Sequence, residues 1–119
     1  MGYFVEPTVL VETRPGMKVV DEEIFGPVLT VQRFDSTEDA VKAANATAYG
    51  LAGGIWTADL ARAHTVAAEL KAGTVWINSY NVLDPALPFG GFKQSGWGRE
   101  HGEAVFDAYT ETKTVVVPH

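Results

Sequence analysis

Cysteine is absent from the 119 residues. That absence excludes a disulfide framework, a thiolate metal site and a cysteine nucleophile together. Long apolar runs are also lacking. The longest weakly polar stretch, Ala48 to Trp56, falls far short of the ~20 apolar residues that cross a bilayer, and no basic segment followed by an apolar one opens the chain. The sequence therefore reads as a soluble, cytosolic protein with no membrane partner. Positive charge is scarce as well: Lys and Arg number 9 against 15 Asp and Glu, a net charge of −6. The few basic residues form no stripe that could follow a phosphate backbone, so nucleic acid is excluded as a partner.

What is present is a chain that is 46% hydrophobic, a composition from which one domain with a core is expected. Tyr3 to Val11 reads as an edge or bulged strand because Pro7 interrupts it. Met17 to Phe25 reads as a short helix stopped by Gly26-Pro27, and Val28 to Phe34 as a strand. Ser36 with Asp39 resembles a capping box, opening a helix that Gly50 would cap at its C-terminus. Leu51 to Trp56 follows as a strand. Asp59 then suits the N-cap of a helix whose apolar face is Leu60, Ala63, Ala67 and Leu70, with Gly73 at its end. Thr74 to Asn78 is β-branched and aromatic, a strand again.

Strands separated by helices of this length form a β-α-β-α-β series, and the right-handed crossover rule turns such a series into a parallel sheet. The fold class is α/β. A long glycine-rich loop, Ser79 to Gly98, follows the core, with Gly90, Gly91, Gly96 and Gly98 available for tight and left-handed turns. Glu100 to Tyr109 suits a short helix. Thr112 to Val117 reads as a C-terminal edge strand open to pairing with another chain.

The glycine-rich loop fails three catalytic templates on particular residues. A phosphate-binding Walker loop would need Ser or Thr after Lys93, where Gln94 stands. A nucleophile elbow on Ser95 would need glycine at Lys93 and at Trp97. The dinucleotide fingerprint would need its glycines between a strand and a helix. His64, His101 and His119 lie at no metal-ligand spacing, so no metal site is expected, and His64 reads as a structural histidine on a helix.

Four ordered motifs carry a resemblance. They are Glu22-Glu23-Ile24-Phe25-Gly26-Pro27-Val28; Asn45 with Tyr49-Gly50-Leu51-Ala52; Gly73-Thr74-Val75-Trp76-Ile77-Asn78; and Pro88-Phe89-Gly90-Gly91-Phe92-Lys93, continuing through Ser95-Gly96, Gly98 and Arg99-Glu100. In order and spacing the chain resembles the C-terminal part of the catalytic domain of NAD(P)-dependent aldehyde dehydrogenases, over nearly its whole length. Members of that family attack an aldehyde with a cysteine thiolate, pass hydride to the nicotinamide of NAD or NADP, and hydrolyse the thioester to the acid.

The resemblance implies roles for particular residues. Glu23 matches the carboxylate that accepts hydrogen bonds from the nicotinamide ribose hydroxyls; read without the family, Asp21-Glu22-Glu23 is a solvated acidic run. Phe25 matches an aromatic packed near the nicotinamide, although an aromatic before Gly-Pro is ordinarily a turn or core anchor. Asn81, Leu83 and Phe89 match the wall of the aldehyde tunnel, with Leu83 at a position often aromatic in relatives. Glu100 matches an acidic residue that relays protons for thioester hydrolysis, while by itself it reads as a helix-start charge or a salt bridge beside Arg99.

Residues 1–111 thus correspond to the C-terminal part of the catalytic domain and 112–119 to an oligomerisation strand. The nucleophile, its oxyanion-hole asparagine, the general base and the dinucleotide-binding half would lie upstream in a longer member. Activity of this chain alone is not expected, and its expected partners are copies of itself or the missing N-terminal portion. A different reading makes the chain a non-catalytic module that self-assembles or caps a partner's sheet. A cofactor-binding remnant ranks last, because nothing here would hold the pyrophosphate or adenine.

Overall fold

A computed structural model describes residues 2–119, which form two compact units, residues 2–48 and 49–119. In the first unit, β1 (Thr8–Leu10) and β2 (Val28–Thr30) pair in parallel, with Thr8 opposite Val28. Pro7 stands immediately before β1, so its missing N–H costs the ladder nothing, and Thr8 donates its own N–H to the Pro27 carbonyl at 2.8 Å. The helix expected over 17–25 shrinks to a single turn, α1 (Lys18–Asp21). Its N-cap, Met17, has no side-chain oxygen to offer the first amides, and no long apolar face compensates.

The capping expectation for α2 (Thr37–Asn45) is met at atomic detail. The Ser36 hydroxyl oxygen accepts the Asp39 N–H at 3.1 Å, and the same hydroxyl donates to the Asp39 carboxylate at 2.8 Å. The helix ends at Asn45 with Ala46 as its C-cap, so Gly50 does not cap it. Gly50 belongs instead to β3 (Tyr49–Gly50) in the second unit, which pairs antiparallel with β6 (Phe92–Lys93).

The second unit is built on one β-α-β crossover. The strand β4 (Ala52–Ile55) leads into α3 (Leu60–Glu69), and the chain returns as β5 (Thr74–Ile77), parallel to β4 with Ala52 opposite Thr74 and Ile55 opposite Ile77. Asp59 caps α3 as its position predicts, its carboxylate accepting the Arg62 N–H at 3.0 Å. The helix packs on both strands. Ala63 and Val66 face inward and are the buried apolar side chains among the described residues, at 1% and 6% exposure.

The α/β class and the parallel pairing across a helix therefore stand, and within the first unit β2 takes β1 as a parallel partner. Composition also overstated the core. Large apolar side chains such as Tyr3, Phe4, Leu29, Trp97 and Phe106 remain exposed, and the first unit has no fully buried apolar side chain among its described residues. Hydrophobic content sets how much surface can be buried, whereas only packing partners decide how much is.

The last helix, α4 (Ala104–Tyr109), starts later than Glu100. Residues 110–119 join no ladder with the described residues of this chain, and Val115, Val116 and Val117 are exposed. No helix among the described residues is long and apolar enough to cross a membrane. Replacing Asp59 with Ala removes the α3 cap and is expected to destabilise the second unit by about 1 kcal/mol. Thermal unfolding followed by helical circular dichroism checks this, with an exposed Glu38→Ala change in the first unit as a control of little effect.

Candidate functional site

Two groups of residues singled out by the sequence lie in different units. In the first unit, the segment between α1 and β2 lines an open hollow of about 330 Å³, bordered by Val19, Glu23, Phe25, Gly26, Leu29 and Thr30. Glu23 and Phe25 both face it, and both are exposed. Phe25 is held at φ +51°, left-handed backbone that a side chain with a Cβ adopts at a cost of roughly 1 kcal/mol or more. The turn is closed immediately afterwards by the Val28 N–H donating to the Gly26 carbonyl at 2.7 Å. The consequence is an aromatic ring, 91% exposed, two residues along from the exposed Glu23 on a short connector.

In the second unit the glycine-rich loop is far from irregular. The Phe89 N–H donates to the Glu100 carbonyl at 2.7 Å and the Glu100 N–H donates to the Phe89 carbonyl at 2.8 Å, a two-residue antiparallel bridge. Glu100 thus sits on a bridge rather than at a helix start, and it is held directly opposite Phe89. The bridge brings together two residues that the sequence placed in separate roles. Glu100 stays exposed, and Phe89 is half-buried with its ring tilted toward His101 at 6.4 Å.

Inside that bridge the loop is tied at several points. The Ser95 hydroxyl oxygen accepts the Gly50 N–H at 3.0 Å, linking the loop to β3. Arg99 donates to the Gly91 carbonyl at 3.1 Å and the Gly98 carbonyl at 2.6 Å, and its guanidinium lies 5.4 Å from the Phe92 ring centre. Arg99 thus satisfies loop carbonyls; the ion pair with Glu100 considered from sequence is replaced by these bonds.

Glycine has two distinct uses here. Gly96 and Gly98 supply positive φ, at +125° and +82°. Gly73, read from sequence as a helix end, instead lets two backbone segments of the chain touch: a Cβ there would fall on the Gly90 carbonyl oxygen. The helix itself stops at Leu70.

Asn81 and Leu83 occupy the start of the same loop and are exposed, Asn81 at φ +55°. His64 is exposed on α3, as a surface structural histidine would be. Sequence reasoning missed the residues that hold the loop in place, Asn78, Trp76, Ser95 and Arg99. Their signal was a donor or acceptor side chain within or beside a glycine-rich segment, and only the fold shows which carbonyls and amides they reach.

These local geometries coincide with the four motifs, and a sequence profile covers them all. The profile of the Aldehyde dehydrogenase family matches residues 1–115. This chain belongs to the aldehyde dehydrogenase family. An aldehyde dehydrogenase of Aspergillus niger is 54% identical over 114 residues, which is 96% of this chain and 23% of that protein. The 4-trimethylaminobutyraldehyde dehydrogenase A of Danio rerio is 54% identical over 98% of this chain and 23% of its own length.

Among solved structures, an indole-3-acetaldehyde dehydrogenase of P. syringae in complex with NAD+ superposes with a TM-score of 0.90 at 52% identity, covering 92% of this chain and 22% of that one. A betaine aldehyde dehydrogenase of Staphylococcus aureus, also with NAD+, gives 0.87 at 45% identity over 89% of this chain and 21% of that one. The chain therefore spans about a quarter of the length of the aldehyde dehydrogenases it matches.

The Gly73 contact provides a test of the loop's construction. Gly73→Ala is expected to displace residues 90 and 91 and to cost about 2 kcal/mol or more, because backbone cannot yield as a side-chain tip can. Gly26→Ala, which meets nothing within 4 Å, is the matched control. Amide hydrogen exchange of residues 73–100 in the two variants measures the difference.

Proposed function

We propose that this chain contributes to the NAD(P)-linked oxidation of an aldehyde to a carboxylic acid, supplying the ribose-binding carboxylate and part of the aldehyde-facing wall of an aldehyde dehydrogenase. The observation that carries the reading is the pairing of Glu23 with Phe25 on one strained connector. Glu23 offers two acceptor oxygens, which suits the two adjacent hydroxyls of a ribose, and its exposure leaves both free to accept. Phe25 stands beside it with an open apolar face that suits the flat nicotinamide. The left-handed backbone at Phe25 is set on folding, so the chain direction at this residue needs no reordering on binding. When bound, the nicotinamide accepts the hydride.

The second unit would bind and shape. Leu83 and Phe89 offer apolar surface to a hydrocarbon tail and shed water from it, while Asn81 offers an amide for a polar group. Glu100, fixed opposite Phe89 by the two bridge hydrogen bonds, places an exposed carboxylate next to that surface, where it can take a proton from water and pass it on during hydrolysis of an acyl intermediate. The nucleophile must come from outside these 119 residues, since none is cysteine. Cytosolic location, action as part of a larger active site, and assignment of residues 1–111 to the catalytic domain belong to the same proposal.

A second reading is favoured by one observation, the exposed, unladdered segment Thr112 to Val117. Its three consecutive valines offer an edge to another chain, which supports an oligomerisation strand and, for the free chain, a self-assembling non-catalytic module.

The test of the first reading is a chimaera in which these residues replace the matching stretch of the Aspergillus niger relative. NAD reduction with a short aldehyde is expected to persist, and Glu23→Gln within it to lower kcat/KM by about tenfold or more, the worth of a charged hydrogen bond. A folded chimaera whose rate ignores that substitution would sink the ribose assignment. For the second reading, the free chain should sediment as a discrete oligomer that Val116→Lys dissociates; a monomer at all concentrations would reject it.

A further inference from the structure

We infer that Trp76 is a positioning residue: its indole fixes the conformation of residues 79–83 and so sets where Asn81 and Leu83 stand in the aldehyde-facing wall. The inference rests on the proposal that those two residues meet the aldehyde.

Among the described residues, no backbone–backbone hydrogen bond involves residues 79–83. A stretch with no ladder of its own would sample many conformations, and ordering each residue costs roughly 1–2 kcal/mol of entropy. Side chains must supply the order, and they do so at three points.

At the first point, Asn78 leaves β5 with φ +53° and closes a two-bond ring on a single residue. Its side-chain Oδ1 accepts the Thr57 N–H at 2.8 Å and its Nδ2 donates to the Thr57 carbonyl at 2.9 Å. At the second, the Tyr80 ring meets Trp76 edge-on, with centroids 5.5 Å apart and planes at 62°. At the third, the indole N–H of Trp76 donates to the Val82 carbonyl at 2.9 Å. Asn78 fixes where the segment starts. Trp76 alone fixes how it proceeds, touching it on either side of Asn81.

The choice of residue supports this role. A phenylalanine would serve a half-buried β-strand position equally well for packing, so what tryptophan adds is a donor on a long rigid arm. That donor reaches six residues ahead to a carbonyl with no other partner among the described residues. The geometry also spares the loop strain, because the one left-handed residue between the two contacts is Asn81, and asparagine tolerates that backbone well. With both flanks held, the half-exposed Leu83 next to Val82 is presented in one direction, as a wall that discriminates between aldehyde tails requires.

The test uses the chain as it stands and needs no variant at first. Of the three tryptophans, Trp56 and Trp97 are 63% and 98% exposed, so their indole N–H groups serve as internal references. In a nitrogen-15 labelled sample, the Trp76 indole N–H is expected to exchange with water about fivefold more slowly than either, the effect of one net hydrogen bond, and to show a nuclear Overhauser contact to Val82 or Leu83. Exchange equal to the references, without that contact, overturns the inference.

Trp76→Phe keeps an aromatic on the strand and removes the donor. It is expected to leave the α3 amide resonances in place while shifting those of 79–83 and releasing Asn81 from positive φ. Unmoved loop resonances in a folded variant likewise overturn it. In the chimaera described above, the same substitution should raise KM for hexanal about fivefold relative to that for acetaldehyde, with kcat little changed. A loop that moves while both KM values stay constant would leave the clamp intact and reject the placement of Asn81 and Leu83 against the aldehyde, so the two failures are distinguishable.

Discussion

The parallel pairing of β4 with β5 under α3 is the constraint on which the second unit depends. The pair is short, and one of its strands carries Gly53-Gly54, which contribute no side chains to a core. Stability must therefore come from the helix above. Ala63 and Val66 are buried there, and Leu70 reaches to within van der Waals distance of where a Cβ on Gly53 would stand. The small residues of β4 are what allow the helix to approach so closely. Once that crossover is set, the end of β5 is fixed in space, and the loop leaving it can be aimed.

Asn81, Leu83 and Phe89 lie on that loop, and Glu100 stands just beyond its end. The loop's order comes from the short β3–β6 ladder and the Phe89–Glu100 bridge, and elsewhere from individual side chains that each satisfy a backbone group the glycine-rich sequence leaves bare. Asn78 takes the Thr57 peptide, Ser95 takes the Gly50 amide, and Arg99 takes the Gly91 and Gly98 carbonyls. Polar residues that resembled catalytic candidates by type, Ser95 above all, are explained as anchors. Asn81 and Leu83 between these anchors, and Glu100 directly after Arg99, stay exposed.

The first unit follows a different logic. Its two-stranded pair has no helix with a buried face over it among the described residues, and its apolar side chains Leu29, Val31 and Phe34 are exposed. Exposed apolar residues grouped in this way mark a place where another segment or chain packs. The aldehyde dehydrogenases that this chain matches are about four times longer.

The local sequence by itself determined the elements whose cause is local. Ser36 and Asp59 each bring an oxygen to a helix start three residues from its target amide, so both caps were legible. The β4-α3-β5 crossover was legible from its spacing, and the family from four ordered motifs. What only the tertiary structure decided were contacts between residues distant along the chain. The pairing of β2 with β1, the place of Gly50 in β3, the seating of Gly73 against Gly90, and the bridge that sets Glu100 opposite Phe89 all belong to this group. A glycine that caps a helix and a glycine that admits a neighbouring backbone are the same letter, and the difference lies in which carbonyl arrives beside it.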